Sequence, residues 1–300
     1  MPRASDPRLL ARLARLELRA RTAVEGLQGG RHRSQARGAS TTFAQHREYA
    51  PGDDIRRLDW KVLARTDRPV VREYEEETSL TLWLLIDASR SMRFGSLEWN
   101  KWQYATWLAA ALARLATDQQ DRVGLILIRG AESNHALPAA TGEVHWAATV
   151  AALEAAEPDG AGDPGAALAT AVGLMDRRGI VVWIGDCFGA PESAAHGISR
   201  LRHRGHDLIV LRTLDPAEIA FPYAQITQFD GLESADRLRL DPRAVRDAYL
   251  EEFEAHGREL RRRLRGLGCD FRRMPTDEPL EAGLVEFLAR RGARLRRQAR

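Results

Sequence analysis

Four short apolar runs, residues 80–86, 122–128, 180–184 and 208–211, recur along the chain with helix-length segments between them. A strand buried on both faces needs this kind of continuous apolar stretch, because neither side can be left polar. Parallel neighbours need a crossover, and a helix is the compact way to make one, so strands alternating with helices favour a parallel sheet. The expectation is an α/β fold: a doubly wound, mostly parallel sheet with helices on both faces. The intervening helices are read at residues 100–116, 144–156, 165–177 and 193–204, with a short strand at 135–137.

The flanks read differently. Leu9, Leu13, Leu16 and Val24 fall at helical spacing, so residues 6–27 are expected to form an amphipathic helix ended by Gly29 and Gly30. Residues 31–68 carry turn signals such as Pro51-Gly52-Asp53-Asp54, and no helix or strand is read there. Residues 1–78 are therefore taken as an irregular N-terminal arm, and 79–240 as the α/β domain. Residues 241–300 are taken as a helical extension with a basic tail. Residues 225–229 and 237–240 are expected to pair as short strands. Asp241-Pro242 opens a long helix toward Leu267, with Asp at the N-cap and Pro at the first helical position. An edge strand at 269–272 and a last helix at 280–290 complete the reading.

Composition narrows the function classes. With 44% hydrophobic and 29% charged residues the chain can bury a core, which a disordered chain cannot. A formal charge of +3, gathered at the termini, gives no basic face with groove-reading aromatics, so nucleic acid is not expected. Cys187 and Cys269 are too few for a disulfide framework and are read as reduced thiols. No apolar run approaches the roughly 20 residues of a membrane span. The Arg-rich start lacks a signal peptide's apolar stretch, so the cytoplasm is the expected compartment.

In an open α/β sheet, ligands bind beyond the carboxyl ends of the strands. The first apolar run stops at Asp87-Ala88-Ser89-Arg90-Ser91, and Asp186 ends the 180–184 run. A carboxylate and two hydroxyls on alternating positions of a tight loop can converge on one point. Hard oxygen donors of that kind suit Mg²⁺, which keeps several waters and leaves a position for a partner's carboxylate. On spacing alone, Asp87 and Ser89 could equally cap the turn that follows.

A hydrophobic strand running into Asp-x-Ser-x-Ser, then a helix, a strand and a later strand ending in Asp, resembles the von Willebrand factor type A domain. The upstream stretch REYAPGDDIRRLDWKVLARTDR from Arg47, followed by Glu73 to Glu77 and the Asp87 loop, resembles the family called domain of unknown function 58. The likeness covers roughly residues 30–214. It implies a metal-ion-dependent adhesion site in which Ser89 and Ser91 ligate directly while Asp87 and Asp186 act largely through water. A Thr expected before the 165–177 helix is replaced by Gly162-Asp163-Pro164, so either Asp163 substitutes or that ligand is missing. The extra carboxylate could favour Ca²⁺ or abolish the site. The resemblance further implies a non-catalytic protein-binding adaptor, with an AAA+ ATPase of the MoxR type as partner. Arg47, Asp53, Asp54, Arg56, Arg57, Asp59, Arg65 and Asp67 are expected to form ion pairs that clamp the arm onto the body, with Trp60 as apolar anchor.

Other readings are weaker. Gly160-Ala161-Gly162-Asp163-Pro164-Gly165 matches a dinucleotide fingerprint, but a helix rather than a strand precedes it. The alternative enzyme is a Mg²⁺-dependent phosphoryl-transfer enzyme of haloacid-dehalogenase type with Asp87 as nucleophile. Such a site needs a second Asp two residues on, where Ser89 stands. No Gly-x-Ser-x-Gly elbow supports a hydrolase. The tail at 290–300 reads as a solvated end.

Overall fold

The computed structural model describes residues 41–50, 58–76, 80–130, 135–160, 163–280, 283–284 and 286–287. The expected helix at 6–27, most of the one at 280–290, the basic tail and the charged residues 51–57 lie outside the described residues. The chain divides into two compact units, one spanning Arg31–Ser79 and the other carrying everything described from Leu80 onward.

In the smaller unit, β1 (Thr41–Glu48) pairs antiparallel with β2 (Val70–Glu76), and α1 (Trp60–Thr66) lies between them in sequence. The sequence reading assigns no regular structure to residues 31–68. β1 lacks a clean alternation of apolar and polar residues, and α1 is only two turns long, so neither carries a periodic signal. α1 is instead defined by its ends: Asp59 accepts hydrogen bonds from the Lys61 and Val62 amides, and Asp67 turns left-handed (φ 58°) to stop it. Trp60 is 60% exposed.

The larger unit is built on a six-stranded sheet of order β10-β7-β6-β3-β4-β5. Its strands are β3 (Thr81–Asp87), β4 (Arg122–Ile128), β5 (His135–Ala140), β6 (Ile180–Gly185), β7 (Asp207–Leu214) and β10 (Asp270–Pro275). All neighbours are parallel except β4 and β5. The central strands are buried end to end, as their apolar runs require.

Alternate residues feed two cores. Leu82, Leu84 and Ile86 join the core under α2 (Lys101–Asp118) and α3 (Glu143–Ala155). Trp83 and Leu85 join the core under α4 (Pro164–Ala171), α5 (Pro191–His203) and α7 (Pro242–Gly266). The helix read at 165–177 is shorter than expected and passes at Val172 into a 3-10 turn ending at Leu174. A short α6 (Pro216–Ala220), unread in the sequence, is fixed by a capping box between Asp215 and Glu218. The small strands β8 (Thr227–Asp230) and β9 (Arg237–Leu240) pair antiparallel as expected.

Asp241 caps α7, with Pro242 at its first position. The segment after residue 240, set apart in the sequence reading as an extension, supplies both α7 and the edge strand β10 to this unit. Among the described residues no helix is long and apolar enough to cross a membrane.

The connection from β3 runs through α2 to β4 on one side, and that from β6 runs through α5 to β7 on the other. The crevice beyond the carboxyl ends of β3 and β6 therefore lies where the winding reverses, the favoured ligand position in such sheets.

Candidate functional site at the ends of the central strands

β3 ends on Asp87, wholly buried, and the chain folds back at once. The Ser89 amide donates to Asp87 Oδ1 at 2.9 Å, and a 3-10 turn follows over Arg90–Arg93. This brings the hydroxyls of Ser89 and Ser91 to 2.9 Å from each other. Buried Met92 pins the turn to the core. From the other side, Gly160 pairs with the loop: its amide donates to the Ala88 carbonyl at 2.9 Å, and its carbonyl accepts from the Arg90 amide at 3.0 Å. A Cβ at Gly160 would lie 2.5 Å from the Arg129 carbonyl oxygen, so only glycine lets the segment approach so closely. Asp87 Oδ2 is buried and has no hydrogen-bond partner.

Beside it, β6 delivers Asp186. Cys187 takes a left-handed conformation (φ 55°), and the turn lets the Phe188 amide donate to Asp186 Oδ1 at 3.2 Å. Arg212 Nε holds the Asp186 carbonyl at 2.8 Å. The buried ammonium of Lys101, first residue of α2, donates to Asp186 Oδ2 at 2.8 Å and to Glu218 Oε1 at 2.6 Å. The Phe188 ring lies 4.9 Å from that ammonium. Further out, Glu233 in the β8–β9 connection accepts a hydrogen bond from the Ser91 amide at 2.7 Å.

The charges divide between the two aspartates. Burial first, and the neighbouring charge of Asp186 second, push the Asp87 carboxyl up to about 7. Burial alone would also raise Asp186, but the charge and hydrogen bond of Lys101, helped by the Ser91 hydroxyl and the Phe188 amide, hold it below its ordinary value. Burial works against Lys101's charge as well, and Asp186 with Glu218 outweighs it, keeping the ammonium raised. Glu218 is raised by burial despite Lys101. The Cys187 thiol is pushed well up by burial and is an inert neighbour.

Two uncharacterized proteins, from Mycobacterium tuberculosis and Mycobacterium bovis, are each 32% identical to this chain over 295 residues, covering 96% of it and 92% of the relative. The family described as "Protein of unknown function DUF58" matches residues 45–259. The chain belongs to the DUF58 family. Among solved structures, an aerotolerance-related membrane protein from Bacteroides fragilis is similar at 16% identity and TM-score 0.47, over 72% of this chain and 100% of that one. The SpRpn10 VWA domain is similar at 12% identity and TM-score 0.41, over 69% and 94%. The fold of this DUF58 chain is α/β, a mostly parallel sheet with helices on both faces.

Of the residues singled out from the DUF58 sequence, Asp87, Ser89, Ser91 and Asp186 come together in one crevice. Asp163 has a structural task of its own: its carboxylate accepts the Gly165 amide at 2.9 Å as the N-cap of α4. A cap followed by Pro at the first helical position explains Asp163-Pro164 without a ligand role. Among the described residues no three His, Cys, Asp or Glu side chains group closely enough to hold an ion, so a cation here would depend on hydroxyl oxygens.

That donor set fits a small hard cation. Adjacent ligands of octahedral Mg²⁺ stand about 3 Å apart, as the two serine hydroxyls do, and Asp87 Oδ2 is a buried oxygen without a proton donor. Ser89, Ser91 and Asp87 would hold the ion, and a bound ion would supply a Lewis-acidic point for an incoming carboxylate.

Sequence reasoning missed Lys101, Glu218 and Glu233. Lys101 did leave a trace, being one of only two lysines in a chain of 45 basic residues.

Proposed function

We propose that this chain is a non-catalytic protein-binding adaptor that recruits a carboxylate of its partner at the Asp87 loop through a bound Mg²⁺. The observation that carries this reading is the buried, unpartnered Asp87 Oδ2 beside the paired hydroxyls of Ser89 and Ser91. A buried carboxylate oxygen with no donor is costly, and a cation removes that cost by supplying the missing partner. Asp186 acts from behind: with Lys101 on one oxygen and the Ser91 hydroxyl donating to it, it orients the loop more than it ligates. The candidate partner is a MoxR-type AAA+ ATPase, which the family resemblance implied.

The test has two arms. Calorimetric titration of the full chain with Mg²⁺ is expected to give saturable binding that weakens in Ser89→Ala by at least the order of tenfold to a hundredfold seen for lost supporting groups at metal sites. Affinity capture from cell extract, with mass spectrometry to name what is retained, is expected to recover an AAA+ ATPase in Mg²⁺ and to lose it in chelator and in Ser89→Ala. Recovery that ignores both treatments would remove the metal-bridged mode.

A further inference from the structure

The β8–β9 hairpin stands outside the main sheet and touches the candidate site through Glu233. Its base is fixed: Phe229 stacks on Phe221 (5.7 Å between ring centroids) and meets Tyr223 edge-on. Its turn is closed by the Gly231 amide on the Asp236 carbonyl and by the Ser234 hydroxyl on the Asp236 carboxylate. Glu233 therefore projects from a formed turn on an anchored stem. The rest of the hairpin is thinly packed, with Ile226 67% and Leu238 58% exposed.

The placement of this carboxylate is informative. Glu233 Oε1 sits 2.7 Å from the amide of Ser91, the residue whose hydroxyl pairs with Ser89 and donates to Asp186. An acidic side chain is thus already seated on an amide of the loop that is read as receiving a partner's carboxylate. Three acidic groups, Asp87, Asp186 and Glu218, stand behind that loop with two buried cations, Lys101 and Arg212.

We propose that Glu233 is an internal ligand of the Asp87 loop, holding the place a partner's carboxylate takes, so that a partner binds by displacing the hairpin tip. This rests on the reading of the loop as a partner-binding site. It also defines the partner's chemistry: an acidic side chain carried at the tip of a turn, able to donate nothing and to accept from the Ser91 amide. Displacement breaks one charge-assisted hydrogen bond and leaves the aromatic stem in place, so it needs no unfolding of the sheet.

The experiment compares the full chain with Glu233→Ala and Glu233→Gln in Mg²⁺. Two quantities are read: hydrogen exchange at the Ser91 amide by NMR, and binding of a capped tripeptide with a central Glu. Removing the acceptor is expected to speed Ser91 exchange by the order of tenfold or more, since exchange reports local opening. It is also expected to tighten peptide binding on the order of tenfold, because a tethered competitor acts at millimolar effective concentration. Glu233→Gln, which keeps a neutral acceptor, should fall between.

Unchanged Ser91 exchange in Glu233→Ala overturns the proposal, and so does peptide binding no tighter than in the wild type. Failure of the underlying site reading looks different: Ser89→Ala would leave Mg²⁺ uptake unaltered whether or not Glu233 is present.

Discussion

A lysine at the first position of a helix opposes the helix dipole, yet Lys101 stands there wholly buried. Two carboxylates, from Asp186 and from Glu218 at a separation of 117 residues, compensate it. Removing one partner of a buried ion pair typically costs about 3–5 kcal/mol, because the charge left behind has no water to return to. Lys101→Met is therefore expected to lower unfolding free energy by about that amount, read from urea melts. Pairing it with Asp186→Asn should recover part of the loss. A single variant as stable as the wild type would mean that Asp186 is not held by Lys101. The same residue marks the limit of sequence reading. Asp87, Ser89, Ser91 and Asp186 were legible because each follows an apolar run that ends abruptly in a polar side chain. Lys101, Glu218 and Glu233 were not, since their roles depend on contacts 85 to 142 residues away. A lysine or glutamate also reads as solvated surface unless such a contact is known.

At the scale of elements, β3, β4, β6 and β7 were legible because burial on both faces gives each an unbroken apolar run. The ribbon of β1 and β2 and the two-turn α1 were not, since β1 lacks an alternating pattern and α1 is fixed by its ends. Asp163 shows the same ambiguity from the other side: its spacing allowed ligation, and the start of α4 uses it as a cap. β6 passes close to Asp87. A Cβ at Gly185 would lie 2.5 Å from Asp87 Cβ and 2.9 Å from Oδ2. Two strands paired along Leu82–Ile86 and Ile180–Ile184 cannot part locally without losing ladder hydrogen bonds. Gly185→Ala is thus expected to cost about 1–3 kcal/mol, as overpacking of a tight core does. It should also weaken Mg²⁺ binding by displacing the Asp87 carboxylate, whereas a Cβ at Gly142 would meet nothing within 4 Å. Calorimetry on a folded Gly185→Ala chain separates the two effects: intact Mg²⁺ affinity would mean that Gly185 does not set the position of Asp87.

For the larger unit as a whole, pH reports how its buried acids are paid for. Asp87 and Asp121 lie at opposite ends of β3, a strand of seven residues and so about 20 Å long. Burial raises both, Asp87 to about 7 and Asp121 to about 6, the latter against the Leu80 amide it accepts. Between roughly pH 4 and these values the folded chain binds more protons than the unfolded one. Stability carried by the two groups is therefore full below pH 4 and falls as pH rises through 6 and 7, by up to about 1.4 kcal/mol per pH unit for each titrating group. His206 works in the opposite direction: burial lowers its imidazole, so its contribution is lost as pH falls below about 6.5. The difference between the wild type and Asp87→Asn/Asp121→Asn, measured in chelator, isolates the two acids, because sites so far apart are additive. The variant is expected to gain on the wild type steadily from pH 5 to pH 7 and to level off by pH 8. A constant difference across that range would mean that neither carboxyl is held protonated by the fold. Mg²⁺ should flatten the wild-type curve at its upper end, because an ion at Asp87 replaces the proton that burial otherwise retains.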